Sequence, residues 1–210
     1  MKCYKLTDAD GYTRRGYYNE TLWGEGVTHT AKGDGGLCSS GVIHAYESPE
    51  LALFMNPAHA DIENPLIWEC DGGNLIEDDG TKQGFKTVTT LHTVELVKPT
   101  VNQCIRFAIL SAKQVYADAD WNEWAARWLD GTDRTADAAK ASAFAANASY
   151  DAYAYATCAA RATYAAYCAN NNATYAAYAA SRAAYVAYCA YSDKRIDFAA
   201  ISKQAMEEDD

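Results

Sequence analysis

Four side chains in the first half could hold a metal. Cys38, His44, His59 and Cys70 supply two thiols and two imidazoles, a donor set suited to zinc. Their spacing lacks the closely paired ligands of structural zinc sites, and a satisfied structural histidine is the plainer reading of His44, as small buried hydrophobes are of Cys104, Cys158, Cys168 and Cys189. A second set lies further on. At about 100° per residue, Tyr150, Tyr153, Thr157, Arg161, Tyr164 and Cys168 share one helical face. Tyr175, Tyr178, Arg182, Tyr185 and Cys189 do the same in the next segment, with Ala filling most of the opposite side. Such stripes serve packing between helices, with Arg over ring faces, or form a surface for a protein partner. In the second case Arg161, Tyr164, Tyr175, Tyr178, Arg182 and Tyr185 are the contact residues, of types enriched at interface hot spots. Thr163 recurring at Thr174 in Ala-rich sequence suggests an ice-binding helix, but bulky Tyr and the appended β-rich half oppose it.

Catalytic signatures are otherwise missing. There is no Gly-rich phosphate loop, HExxH, GxSxG or paired metal-ligand motif. The elements that carry the two sets have different grammars. Residues 1–100 hold 12 of the 13 Gly, all four Pro and short β-prone runs. Strands are expected at Cys3–Leu6, Arg15–Tyr18, Val42–Ala45, Leu66–Cys70 and Thr87–Val97. Asp71-Gly72-Gly73-Asn74 and Asp78-Asp79-Gly80 read as turns, because Gly and Asn tolerate positive φ. Ser48 followed by Pro49 predicts a capped short helix through Phe54.

After Pro99 strand signals stop and one glycine, Gly131, remains. Thr100 or Asn102 can cap a helix running to about Ala117. Asp118 or Asp120 caps a second, where Trp121, Trp124 and Trp128 share a face. Asp130-Gly131-Thr132-Asp133 closes that helix and caps the next. From Ala136 to Ala190, 26 of 55 residues are Ala, and Ala-Thr-Tyr-Ala-Ala-Tyr occurs twice, from Ala162 and from Ala173. Asn170-Asn171-Asn172 is the expected break between two helices. The fold class is therefore α+β: a small β-rich domain over 1–99, then an all-α antiparallel helical domain, bundle or solenoid-like, over 100–210.

The 210 residues carry 28 acidic and 18 basic side chains, a formal charge of −10. That balance disfavours direct nucleic-acid binding, which needs clustered Lys and Arg. No apolar run reaches the roughly 18 residues of a membrane span, and no signal peptide opens the chain. Seven Cys without a CxxC pair suit reduced thiols in a cytoplasm.

Several segments carry a resemblance. Lys2-Cys3-Tyr4-Lys5, Arg14-Arg15-Gly16-Tyr17-Tyr18, the run from Leu37-Cys38 through His44-Ala45-Tyr46 to Pro49, and the run from Trp68-Glu69-Cys70 to Thr81-Lys82 with the Val88–Leu96 strand after it resemble a family of uncharacterised domains found mainly in small bacteriophage proteins. That family supplies no activity. Arg106-Phe107-Ala108, Trp128-Leu129-Asp130-Gly131 and the Ala/Tyr arrays resemble the Ala-rich helical domain of predicted bacterial immunity proteins and related phage proteins. The order Arg15, then Gly41 to Tyr46, then Glu95 is also loosely similar to ADP-ribosyltransferases. That similarity would have Arg15 hold NAD, Tyr46 stack nicotinamide and Glu95 stabilise the oxocarbenium.

The expectation is a non-enzymatic phage-type accessory protein without a cofactor. It would act in the host cytoplasm by binding a host or phage protein, inhibiting a host defence or nucleic-acid-binding protein. An NAD-binding ADP-ribosyltransferase-like enzyme and a self-associating structural protein are the alternatives.

Overall fold

Two of the expected strands belong to one long hairpin. A computed structural model describes residues 1–148, 153–169, 172–190 and 195–207. It divides into two compact units, Met1–Lys98 and Pro99–Asp210. The chain is of mixed α+β class, with strands in the first unit and helices dominating the second.

The first unit contains β1 (Lys2–Thr7), β2 (Tyr12–Thr13), β3 (Thr21–Leu22), β4 (Thr28–Thr30), β5 (Ile43–Ala45), α1 (Pro49–His59), β6 (Leu66–Asp78) and β7 (Gln83–Val94). Every pairing is antiparallel: β1 with β6, β6 with β7, and β7 with both β4 and β5. Tyr4 and Tyr46 exchange two backbone hydrogen bonds of 2.8 Å, which brings the end of β5 back onto β1. The path β1-β6-β7-β5 thereby closes on itself. Irregularities between Glu69 and Cys70 and between Leu75 and Glu77 let β6 bend enough to do this. Cys3, Trp23, Ala45, Trp68, Cys70, Phe85 and Val88 fill the interior.

Three expectations here need correction. Asp71-Gly72-Gly73-Asn74 is not a turn but the middle of β6, where Gly72 leaves room for the Phe85 ring. Arg15–Tyr18 is not a strand: Arg14 and Gly16 take φ of 53° and 80°, and Tyr17 N–H donates to Arg14 O in a turn. The helix after Ser48 runs on to His59, with Pro57 near its end. Asp78-Asp79-Gly80 does turn the β6–β7 hairpin: Asp79 Oδ1 accepts from the N–H groups of Thr81 and Lys82.

The second unit contains α2 (Val101–Ala112), α3 (Ala119–Leu129), α4 (Ala136–Ala148), α5 (Tyr153–Cys168), α6 (Ala173–Ala190) and α7 (Phe198–Met206). Thr100 and Gln103 form a capping box that starts α2, which stops at Ala112, short of Ala117. Asp118 caps α3, and its three indoles at 121, 124 and 128 are buried together. Asp130 Oδ1 and Asp133 Oδ1 fold the next turn around Gly131, and Thr135 Oγ1 takes the Ala138 N–H at the start of α4. Helix α2 packs against α5, α6 and α7, while α5 packs against both α4 and α6. Asn172 Oδ1 accepts from Tyr175 N–H and caps α6; Tyr150, Asn170 and Asn171 lie outside the described residues.

Candidate functional site

Alanine decides which faces of α5 and α6 turn inward. Ala159, Ala162, Ala165, Ala176, Ala180, Ala183, Ala184 and Ala187 are buried, so the two backbones lie close. The Cys158 thiol reaches Ala183 O at 3.1 Å across that seam. Three tyrosines of the stripes are then left toward the outside. Tyr164, Tyr175 and Tyr178 are 43%, 45% and 41% exposed.

These rings form a continuous series. Tyr167 and Tyr164 have centroids 5.9 Å apart, Tyr164 and Tyr175 meet edge to face at 5.8 Å, and Tyr175 and Tyr178 follow at 6.3 Å. The Tyr164–Tyr175 contact joins one helix to the next. Neighbouring rings at such angles hold each other, so their exposed surfaces are ordered at a modest cost in rotamer freedom. The Tyr164 phenol is pushed above its ordinary pKa chiefly by Cys168 one turn away, with Tyr175 adding to it. Beside the series, Lys140, Ala143, Phe144, Tyr164 and Tyr167 line an apolar groove of about 250 Å³. Phe144 is 66% exposed at its rim, and the Lys140 ammonium lies 5.9 Å from the Tyr167 ring centroid.

The two arginines differ. Arg182 stacks on Tyr185 at 4.9 Å. Arg161 is half-buried, and its Nε is enclosed without a hydrogen bond. Arg161 and Arg182 are nevertheless the only ionic residues between Tyr153 and Ala190. In a chain of −10, that stretch carries +2.

The first unit scatters the other residues singled out from sequence. Arg15 bonds Asp8 Oδ2 at 3.1 Å and Asp10 Oδ2 at 2.7 Å, and lies over the Tyr12 ring. Glu95 is exposed just past the end of β7, at the sheet end where Thr7 faces Leu66 and Ile67 faces Val94. Tyr46 is buried beside Tyr4, about 10 Å along β1 from that end. Its hydroxyl is 3.4 Å from His59 Nδ1, and burial drives its pKa up. Arg15, Tyr46 and Glu95 thus do not share a contact among the described residues.

Nor do the four zinc-type residues gather: no cluster of three or more His, Cys, Asp or Glu suited to a metal occurs among the described residues. Cys70 is buried opposite Cys3, and His59 stacks on Tyr46. Cys38 is exposed, and its own N–H donates to His44 Nε2 at 3.2 Å. Burial, with Lys82 and Lys5 adding to it, lowers the His44 pKa to about 4. The neighbouring Lys5 is buried, donates to His44 O at 3.0 Å and sits 4.8 Å from the Trp23 ring centroid. Desolvation lowers its pKa to about 8.

Sequence reasoning missed Phe144, Lys140 and Tyr167, which line the groove. Tyr167 was readable from the repeated Ala-Ala-Tyr pattern; Phe144 and Lys140 lie on α4, where no aromatic stripe signals a face. No protein-family model, curated protein or solved structure matches the chain.

Proposed function

We propose that the chain is a non-enzymatic accessory protein of phage type that works by protein–protein contact. It acts in the host cytoplasm and inhibits a host defence or nucleic-acid-binding protein. The observation that carries the binding reading is the exposed ring series Tyr164, Tyr175 and Tyr178 beside the Phe144 groove. Large apolar rings left in solvent and fixed by their neighbours are what an interface core requires. The local +2 of α5 and α6 favours a partner with an acidic contact surface. All seven cysteines are free thiols, in keeping with a reducing compartment.

On this reading the second unit is an antiparallel helical module that serves as the platform. Its support is the pairing of residues across α5 and α6: Tyr164 meets Tyr175, and Cys158, earlier in α5, meets Ala183, later in α6. The test is capture of a partner from bacterial lysate with the full chain and with Tyr164→Ala/Tyr178→Ala. The double variant should keep the far-UV spectrum and lose the captured protein. Equal capture by both chains would overturn the surface. Loss of folding in the variant would assign the tyrosines to packing instead.

A further inference from the structure

The Cys38 sulfur accepts a hydrogen bond from an amine. Lys82 Nζ lies 3.2 Å from Cys38 Sγ, although the two residues are 44 apart in sequence. Both backbones are tied down. Leu37 N–H donates to Glu77 Oε2 at 2.7 Å, Cys38 N–H to His44 Nε2 at 3.2 Å, and Lys82 N–H to Asp79 Oδ1 at 2.8 Å. Cys38 is held at φ 66°, a left-handed conformation uncommon for a residue other than Gly. The thiol is exposed, whereas Cys3, Cys70, Cys104 and Cys158 are buried. An accessible thiol is thus fixed beside an amine that can react with its oxidised form.

We infer that Cys38 and Lys82 form a peroxide-sensitive modification site that closes into a reversible sulfenamide linkage. In the first step the Cys38 sulfur attacks hydrogen peroxide. The oxygen–oxygen bond breaks, sulfur keeps one oxygen as sulfenic acid, and the other leaves as water with the thiol proton. In the second step the Lys82 amine, having given its extra proton to water, attacks that sulfur. A sulfur–nitrogen bond forms, the sulfur–oxygen bond breaks, and the hydroxyl leaves as water with one proton from nitrogen. Sulfur is oxidised by two electrons overall, and one peroxide becomes two waters. A small thiol reverses the linkage: its first equivalent attacks sulfur and frees the amine, and its second releases Cys38 as a thiol.

The linkage would tie the glycine-rich loop of residues 31–42 to the β6–β7 turn. It would also shield Cys38 from irreversible over-oxidation. This site is in the first unit and does not depend on the tyrosine surface.

The experiment treats the full-length protein with hydrogen peroxide and maps it with a protease that does not cut at Lys. A peptide joining Cys38 to Lys82 should be found, about 2 Da lighter than the sum of its parts, and dithiothreitol should abolish it. A dione probe for sulfenic acid should label Cys38 several-fold more in Lys82→Gln than in the wild type, with exposed Cys189 as the internal standard. Cys38→Ser should lose both signals. The proposal is overturned if no joined peptide forms and Cys38 labels equally in the wild type and Lys82→Gln. It is equally overturned if wild-type Cys38 passes straight to sulfinic acid.

Discussion

The Phe85 ring rests on the bare backbone of Gly72: a Cβ at Gly72 would lie 2.6 Å from the ring. Phe85 is fully buried in the closed sheet and cannot swing aside without opening it. Gly72→Ala should therefore cost about 1–3 kcal/mol, the usual range for overpacking. Gly72→Ala/Phe85→Leu should recover part of that loss, because the clash is with the ring. Urea unfolding of the three chains measures it; a neutral Gly72→Ala would mean the strand yields.

Lys5 makes the first unit sensitive to alkaline pH in an unusual direction. Its amine has a pKa of about 8 when folded, below the ordinary 10.5, because burial penalises the ammonium. Between these values the unfolded chain binds more protons than the folded one, so stability rises with pH. The penalty is fully present below about pH 8 and is relieved by about pH 10.5, a gain on the order of 3 kcal/mol. Lys5→Met should be more stable than the wild type at pH 7, and the difference should shrink toward pH 10. Denaturation at a series of pH values checks this, with the variant cancelling the other groups that titrate there.

What was legible beforehand follows from which signals are local. Helix starts are marked by chemistry contained within four residues: Ser48-Pro49 opens α1, and of the paired candidates Thr100 or Asn102 and Asp118 or Asp120, Thr100 and Asp118 are the caps of α2 and α3. Gly72-Gly73 misled because the same residues that permit a turn also permit a bent strand beneath a bulky ring, and Phe85 is twelve or more residues away. The tyrosine periodicity singled out Tyr164, Tyr175 and Tyr178, but not their exposure. That depended on the Ala faces finding each other. Cys38 was singled out as a metal ligand; its neighbour Lys82 comes from another strand turn and left no trace in local spacing.

Tyr178 and Ala183 should respond in opposite ways to a change in size. Tyr178 is 41% exposed, so Tyr178→Ala loses partial contacts with Tyr175 and should cost no more than about 1 kcal/mol. Ala183 is fully buried, and the Cys158 thiol meets its carbonyl across the helix seam. Ala183→Leu forces new methylenes into that seam and should cost about 1–3 kcal/mol or more. Thermal unfolding of both variants distinguishes a surface of Tyr and a core of Ala from the reverse arrangement.

Acid should weaken the first unit through His44 before most carboxylates protonate. The His44 pKa of about 4 lies below the ordinary 6.5, mainly because burial disfavours the imidazolium, with Lys82 and Lys5 adding repulsion. Its ring nitrogen Nε2 already accepts the Cys38 N–H, a bond that protonation of Nε2 would break. As pH falls from about 6.5 to about 4, the unfolded chain takes up this proton first, so stability declines across that window. Allowing for partial exposure, the loss is on the order of 2 kcal/mol. His44→Asn keeps an acceptor but does not titrate, and its stability should fall less over the same range. If the two chains lose stability in parallel between pH 6.5 and 4, the neutral His44 assignment is wrong.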